Sequence, residues 1–340
     1  MRDRHILRDR HILRDRLILI PALLALAAAF QSCSGEDVLQ VADGGPVPVS
    51  PSVKVEEDIT DPAGTGGFAD GEDAFRLCAF LLSADEGEPS DWTVKPKTEA
   101  FENEPVDVKG GVPTLRNPKY YPPHVSGRKL RFHAYAPAAN GMYNKGNGEN
   151  PPTVDYAITG QEDIMTATVT QPDDGIGGAA QGEKQLQPSF RFHHLLKRVT
   201  FKLVKGEGFA SNINASTIRI ADCRTKARLD IVSGELAFKG EATGHVQVTG
   251  TWTIKPPEEA LELPNVHLLC EPGKDLTVEV VVAGVTYHAE LELTSTDPDT
   301  EAGAAGVSHL VTLTFKGTEV DATGSIVPWE DVGSADGVIR

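Results

Sequence analysis

From Lys129 to Ala136 apolar and polar side chains alternate, with Leu130, Phe132, Ala134 and Ala136 set against Arg131, His133 and Tyr135, until Pro137 ends the run. A two-residue period predicts a strand with one face buried. Phe75 to Leu82 is almost continuously apolar, which suits a central strand, and Val154 to Ile158 and Ile164 to Val169 predict two more. The second half carries the cleaner pattern: Val199 to Val204, Thr217 to Ala221, Leu229 to Val232, Leu236 to Phe238 and His245 to Ile254 are short runs separated by Gly, Asn, Asp or Ser. Leu276 to Val282 and Val285 to Leu293 flank Ala283-Gly284, a two-residue hairpin connection. Val307 to Phe315 is the last clear strand. Many short strands with turn signals between them, and no long helical periodicity, predict an all-β protein built as β-sandwiches.

Ahead of this pattern stands an uninterrupted apolar run, Leu17 to Phe30, behind an arginine-rich start and ending at Gln31-Ser32-Cys33. Such a run is short for a membrane span and reads as an export signal. A cysteine directly after it, preceded by the small residue Ser32, is the pattern of a bacterial lipoprotein leader, so the mature chain is expected to begin at Cys33 with lipid on its thiol. Phe30 and Gln31 depart from the usual Leu and small residue there, and the alternative is an ordinary cleavage site beside a cysteine. Acyl chains contribute about 0.8 kcal/mol per buried methylene, so two or three of them hold a protein on a membrane with no spanning helix. The start is a tandem duplication, Arg2 to Leu7 recurring as Arg8 to Leu13 and, altered, as Arg14 to Leu19. It lengthens the positive end of the leader and says nothing about the fold.

Residues Ser34 to Asp70 hold few large apolar side chains and many Gly, Pro and acids, as expected of a tether. Within it Val47, Val49, Val53 and Val55 alternate with other residues, and Pro48 and Pro51 would confine such a strand to a sheet edge. Glu36-Asp37 serves either as a solvated spacer or as a sorting signal for outward transfer. The stretch Gln171 to Gln187 is Gly-rich and polar and marks a domain boundary. The expected organisation is a signal peptide over 1–32, a lipidated tether with a candidate first strand over 33–70, and β-sandwich domains over 71–180 and 188–340.

The formal net charge of the 340 residues is −17, and the leader's six Arg and three Asp contribute +3, so the remaining 308 carry −20. That excludes a nucleic-acid partner, which requires a basic face. Beyond Cys33 the cysteines are Cys78, Cys223 and Cys270. Their spacing excludes a CxxC metal site, and their apolar surroundings read as small buried hydrophobes, with a Cys223–Cys270 disulfide left open.

No cofactor, metal or catalytic centre is expected. Gly175-Ile176-Gly177-Gly178-Ala179-Ala180 fits GxGxxA, but no helical stripe follows and Pro188 comes soon after, so a flexible interdomain loop is the expectation. Ser308-His309 lacks the second Gly of a nucleophile elbow. His193 and His194 would point to opposite faces of a strand and cannot share one metal. Asp297-Pro298-Asp299-Thr300-Glu301 has alternate carboxylates without the central Gly of a calcium loop and reads as a solvated turn. Asn214-Ala215-Ser216 matches a sequon that a bacterial leader makes uninformative, and Trp92, Trp252 and Trp329 are scattered packing residues.

Five phrases occur in a telling order: Tyr120-Tyr121-Pro122, Leu130 to Pro137, Gln161-Glu162-Asp163-Ile164-Met165-Thr166-Ala167, Phe192-His193-His194-Leu195-Leu196-Lys197-Arg198-Val199-Thr200-Phe201, and Ile326-Val327-Pro328-Trp329. With the lipoprotein leader they make the chain resemble the fimbrillin (Mfa-like) family of Bacteroides-type bacteria, over about residues 68 to 331. The resemblance implies two consecutive transthyretin-like β-sandwich domains, exported as an outer-membrane lipoprotein and assembled into surface fimbriae by strand exchange. It also implies that loss of the first strand, often after an Arg, opens a groove that a C-terminal segment of a neighbour fills.

One departure from the family's pattern matters. No arginine lies between Cys33 and Phe75, and Lys54 is the only basic residue there. Either another protease acts, or the lipidated strand is retained and the subunit is an anchor or accessory component. The roles expected are Cys33 for lipid attachment, Val53 and Val55 for the displaceable first strand, and Ile326 and Val327 for a donor or closing strand. The partners expected are other fimbrial subunits and the outer membrane. The rival expectation is a non-polymerising surface lipoprotein that binds a glycan or host protein.

Overall fold

A computed structural model of the chain describes residues 39–40, 45–55, 68, 70–82, 101–139, 141–146, 150–209, 211, 213–260, 262–295, 298–317 and 319–327. The leader, Cys33, Trp92, Asp297, Pro328 and Trp329 lie outside the described residues. Among the described residues the secondary structure is strand throughout, apart from one 3-10 turn at His124–Ser126. Before residue 180 the strands are β1 (Leu39–Gln40), β2 (Ser52–Val55), β3 (Gly71–Leu82), β4 (Phe101–Lys109), β5 (Val112–Leu115), β6 (Lys129–Ala136), β7 (Gly141–Asn144), β8 (Thr153–Ala157), β9 (Met165–Thr170) and β10 (Ile176–Gly177). After it come β11 (Lys184–Gln185), β12 (Ser189–His194), β13 (Lys197–Lys205), β14 (Ile213–Cys223), β15 (Lys226–Asp230) and β16 (Leu236–Lys239). The last six are β17 (Gly244–Ile254), β18 (Glu262–Cys270), β19 (Asp275–Val282), β20 (Val285–Glu292), β21 (Ser308–Lys316) and β22 (Glu319–Val327). The protein is all-β and built of sandwiches.

The first sheet runs in the order β2-β12-β9-β6-β3-β4-β5, with the short β10 also on β6. Its inner face follows from the two-residue period: Phe75, Leu77 and Ala79 of β3 and Leu130, Phe132 and Ala134 of β6 all lie in one buried cluster with Phe190 and Phe192 of β12. The rings of Phe75 and Phe192 sit 5.1 Å apart, within the range of favourable aromatic pairs. On the other face of β3 Cys78 and Phe80 are buried as well, which is why Phe75 to Leu82 reads as an almost continuous apolar run broken only by Arg76. Cys78 and Phe80 join Tyr135, Val154, Tyr156 and Leu229 in the second core. Those last three come from a four-stranded sheet, β16-β15-β8-β7.

Two further four-stranded sheets, β18-β13-β21-β22 and β17-β14-β19-β20, place Phe201, Leu203, Leu313 and Phe315 in one core with Ile218, Ile220, Val278 and Val280. The turn between β19 and β20 is the expected two-residue one, and both Ala283 and Gly284 take positive φ, +49° and +84°. Positive φ at both central positions gives the twist that matches the flanking strands.

Strand pairing crosses the Gly-rich stretch 171–187. β12, which follows it, is a strand of the first sheet, and β15 pairs with β8 from Asp230↔Thr153 to Lys226↔Ala157. Arg228 holds Asp155 across that second pairing by two hydrogen bonds of 2.6 and 2.8 Å. The stretch itself is stitched down rather than loose: Ile176 is buried, and Gln185, fully buried, accepts from the Ala179 N–H and donates to the Gly177 carbonyl. A Cβ added at Gly178 would meet the Pro122 carbonyl oxygen at 2.3 Å, so this glycine is required by packing.

His309 of β21 is fully buried, with Nε2 accepting from the Gly303 N–H at 3.1 Å and Nδ1 lacking a partner among the described residues. Burial, and secondarily the Lys197 charge, pull its pKa from 6.5 down to about 4. His267 is lowered for the same first reason, with Arg198 contributing. A histidine whose folded pKa is depressed takes up a proton more readily when unfolded, so stability is full above the unfolded pKa and falls as pH drops from 6.5 toward 4. Urea midpoints measured across that window are expected to decline with acid, and to decline less in His309→Gln; equal slopes in both proteins would contradict this assignment.

Candidate functional site

β2 and β5 are the two ends of the strand path of the first sheet, and the sheet curls until they approach one another. No ladder joins them. The chain lays residues 45–55 across this seam. On one side, the Val49 N–H donates to the Lys119 carbonyl at 2.8 Å and the Tyr121 N–H donates to the Val47 carbonyl at 3.0 Å. On the other, β2 runs parallel to β12 from Ser52↔Ser189 to Val55↔Phe192, and the Ser52 N–H reaches the Pro188 carbonyl at 3.1 Å.

Gln187 fastens the middle of the segment. Its Oε1 accepts from the Ser50 N–H at 2.8 Å and from the Tyr121 hydroxyl at 3.0 Å, while its Nε2 donates to the Pro48 carbonyl at 3.2 Å. Burial alternates as the spacing of the valines requires: Val49 and Val55 are buried in the first core, and Val47 and Val53 pack against it partly covered. Pro48 and Pro51 are tolerated because the segment never has neighbours on both sides at once. Lys54, between the two valines of β2, is exposed. Val53 and Val55 therefore sit on an edge strand, and the segment expected as a tether is paired with β11 at 39–40 and tied into the first sheet at 45–55.

At the other end of the chain, β22 pairs with β21 along its whole length, with Ile326 opposite His309 and Val327 opposite Ser308. Both are half-buried. β22 is the edge of its sheet, and Gly324 lies against Leu291 and Leu293 of the facing layer. Ile326 and Val327 thus lie on an edge strand of a different sheet from Val53 and Val55.

The remaining polar groups are committed to the fold. A cavity of about 420 Å³ opens between Lys197, Cys223, Arg224, Cys270 and Glu271. The Lys197 ammonium donates to the Gly273 carbonyl at 2.6 Å, and the Arg224 Nε donates to Glu271 at 3.0 Å, so both of these cations of its wall are already bonded within the fold. Cys78, Cys223 and Cys270 are buried free thiols. Burial pushes Cys78 and Cys270 up to about 12 and raises Cys223, which keeps all three as neutral thiols rather than nucleophiles. His194 bonds to Asp163 through Nδ1 at 2.8 Å, on the opposite face of β12 from His193. No group of three His, Cys, Asp or Glu suited to a metal exists among the described residues.

What the arrangement offers is backbone: an edge segment at residues 45–55 and an edge strand at Glu319–Val327. Residues 63–329 match the family model described as fimbrillin-like. The chain belongs to the fimbrillin-like family. No curated protein matches it. Among solved structures it is similar to a candidate cell adhesion protein from Bacteroides uniformis, at 16% identity and a TM-score of 0.54 over 85% of this chain and 100% of that one. A second, from Bacteroides ovatus, gives 15% identity and 0.50 over 84% and 99%. A fimbrial protein from Bacteroides vulgatus gives 14% and 0.49 over 83% and 99%. At such identities the first two likenesses establish the fold alone. Membership makes this fimbrillin-like chain a fimbrial subunit of the cell surface, a structural protein whose partners are other subunits.

Gln187 is the one feature of the seam with no signal in the fimbrillin-like sequence pattern, being a polar residue in a polar stretch. Each of its three hydrogen bonds contributes about 0.5–1.5 kcal/mol, so Gln187→Ala is expected to free residues 45–55 by about 1.5–4.5 kcal/mol without unfolding the sheet. Limited trypsin digestion reads this at Lys54: cleavage there should accelerate at least about tenfold over the parent. An unchanged rate would remove Gln187 from the account.

Proposed function

We propose that this chain is the membrane-anchored base or accessory subunit of a surface fimbria, lipidated on Cys33, composed of two sandwich modules, and joined to its neighbour by β-strand exchange in support of adhesion. The observation that carries the reading is the lie of residues 45–55. They fill the seam of the first sheet as an edge strand with two buried valines, the shape of a segment that a neighbour's strand could replace. Replacement requires removal, and the stretch from Cys33 to Phe75 offers an arginine-specific protease nothing to cut.

Retention follows from that, and with it a role at the end of a fibre. A subunit that keeps its first strand keeps its own groove filled, so it engages one neighbour rather than two. Ile326 and Val327 supply the other half of the reading: β22 closes the second sandwich in the isolated chain and is the strand to be donated or capped on assembly. Outer-membrane anchoring then rests on acyl chains at Cys33.

The native amino terminus tests this directly. Intact-mass analysis of protein recovered from its host surface is expected to give a chain starting at an acylated Cys33, and gels run without heating should find that species within a ladder of polymers. A start beyond Val55 would make it a polymerising stalk subunit. An acylated monomer with no ladder would favour a lone lipoprotein that binds a glycan or host protein.

A further inference from the structure

Cys223 and Cys270 are each the last residue of a strand, β14 and β18, and those strands belong to facing layers of the second sandwich with no ladder between them. β14 and β18 nevertheless approach one another. Both cysteines are buried in the one core that the two layers share, and both line the cavity of about 420 Å³. The residues that follow them are bonded to each other: the Arg224 backbone N–H and its Nε donate to one oxygen of Glu271, at 3.2 and 3.0 Å. The chain is therefore pinned across the two layers immediately beyond the two sulfurs.

The thiols also share one electrostatic neighbourhood. Burial comes first in raising both, and the charge of Lys197, which stands opposite Cys270 in the β13–β18 ladder, works against it at both. A charge on Cys223 raises Cys270 further. Cys78, raised by burial, responds instead to the Asn103 N–H, Glu102 and Arg76. Cys223 is held only lightly, its Sγ lying 3.7 Å from the Ile220 carbonyl, and the adjoining cavity leaves the side chains room to turn.

We propose that Cys223 and Cys270 are joined by a disulfide in the exported protein, a covalent tie between the two layers of the second sandwich; the structure shows the pair in its reduced form. The cell surface is a compartment in which such bonds persist. The oxidant is another disulfide, consumed by exchange. One cysteine thiolate attacks it to give a mixed disulfide, and the second thiolate displaces the partner, so that one S–S bond forms in the chain and one breaks in the partner. The two cysteine protons and one electron pair end on the partner, which leaves as two thiols. Inside the closed core the thiols are neutral and slow to react, so the exchange belongs to folding, before the layers close, and the same burial then shields the bond from reductants. The inference rests on the surface location alone and is independent of lipid on Cys33.

The test maps thiols in protein recovered from the surface of its host, denatured in iodoacetamide without reductant and digested. Cys78 is expected to carry the alkyl label, and Cys223 and Cys270 to be found unlabelled in one linked pair of peptides, lighter by two hydrogens than the reduced pair. Label on Cys223 or Cys270 would overturn the bond, and so would a link from either to Cys78. In urea, reductant is expected to lower the parent's midpoint, by about a hundredfold in the unfolding equilibrium, and to leave the midpoint of the Cys223→Ser/Cys270→Ser variant unchanged. A parent whose midpoint ignores reductant would overturn the proposal as well.

Discussion

A β-sheet cannot leave a long row of backbone donors and acceptors unpaired beside an apolar core, and the organisation of this protein turns on how it meets that requirement at one seam. The first sheet curls until β2 and β5 face each other without hydrogen bonds between them. Residues 45–55 bridge the gap, bonded to 119–121 on one side and to β12 on the other, with Val49 and Val55 as the apolar plug. Its backbone bonds are those of any extended chain, and the alternate valines turn the apolar side inward.

The halves of the chain on either side of the Gly-rich stretch are joined by more than that stretch. β8 and β15 form a ladder beside Phe80 and Tyr135 of the first sheet, so backbone hydrogen bonds and a shared core connect them. The Asp155–Arg228 pair adds register more than strength, since its guanidinium is 45% exposed and such pairs contribute about 0–1 kcal/mol.

Where one face is buried and the other is not, the pattern of residues predicted the strands well. β6 runs from Lys129 to Ala136 as its alternation requires, and β19 and β20 meet at Ala283-Gly284. Strands that periodicity misses break the pattern for a local reason: β4 carries Pro105 and acids at its centre, and β18 contains Pro264 and Asn265 at φ +59° beside a bulge. β22 is legible only at Ile326 and Val327, because none of its described side chains is fully buried. Residues 171–187 look like a free linker because their fastening depends on one buried glutamine and on close glycine contacts that no local pattern encodes. At the candidate site, prolines 48 and 51 made an edge strand legible at Val53 and Val55. Its partner β12 and the grip of Gln187 arise from contacts more than a hundred residues apart in the chain, and periodicity cannot report those.

The account stands or falls on whether residues 45–55 occupy the seam in solution. Hydrogen exchange of the full mature chain reads this at the bonded amides of Val49, Ser50 and Ser52. Protection approaching that of Phe192 in β12 is the expected result; exchange at the rate of an unstructured peptide, with β12 still protected, would contradict it.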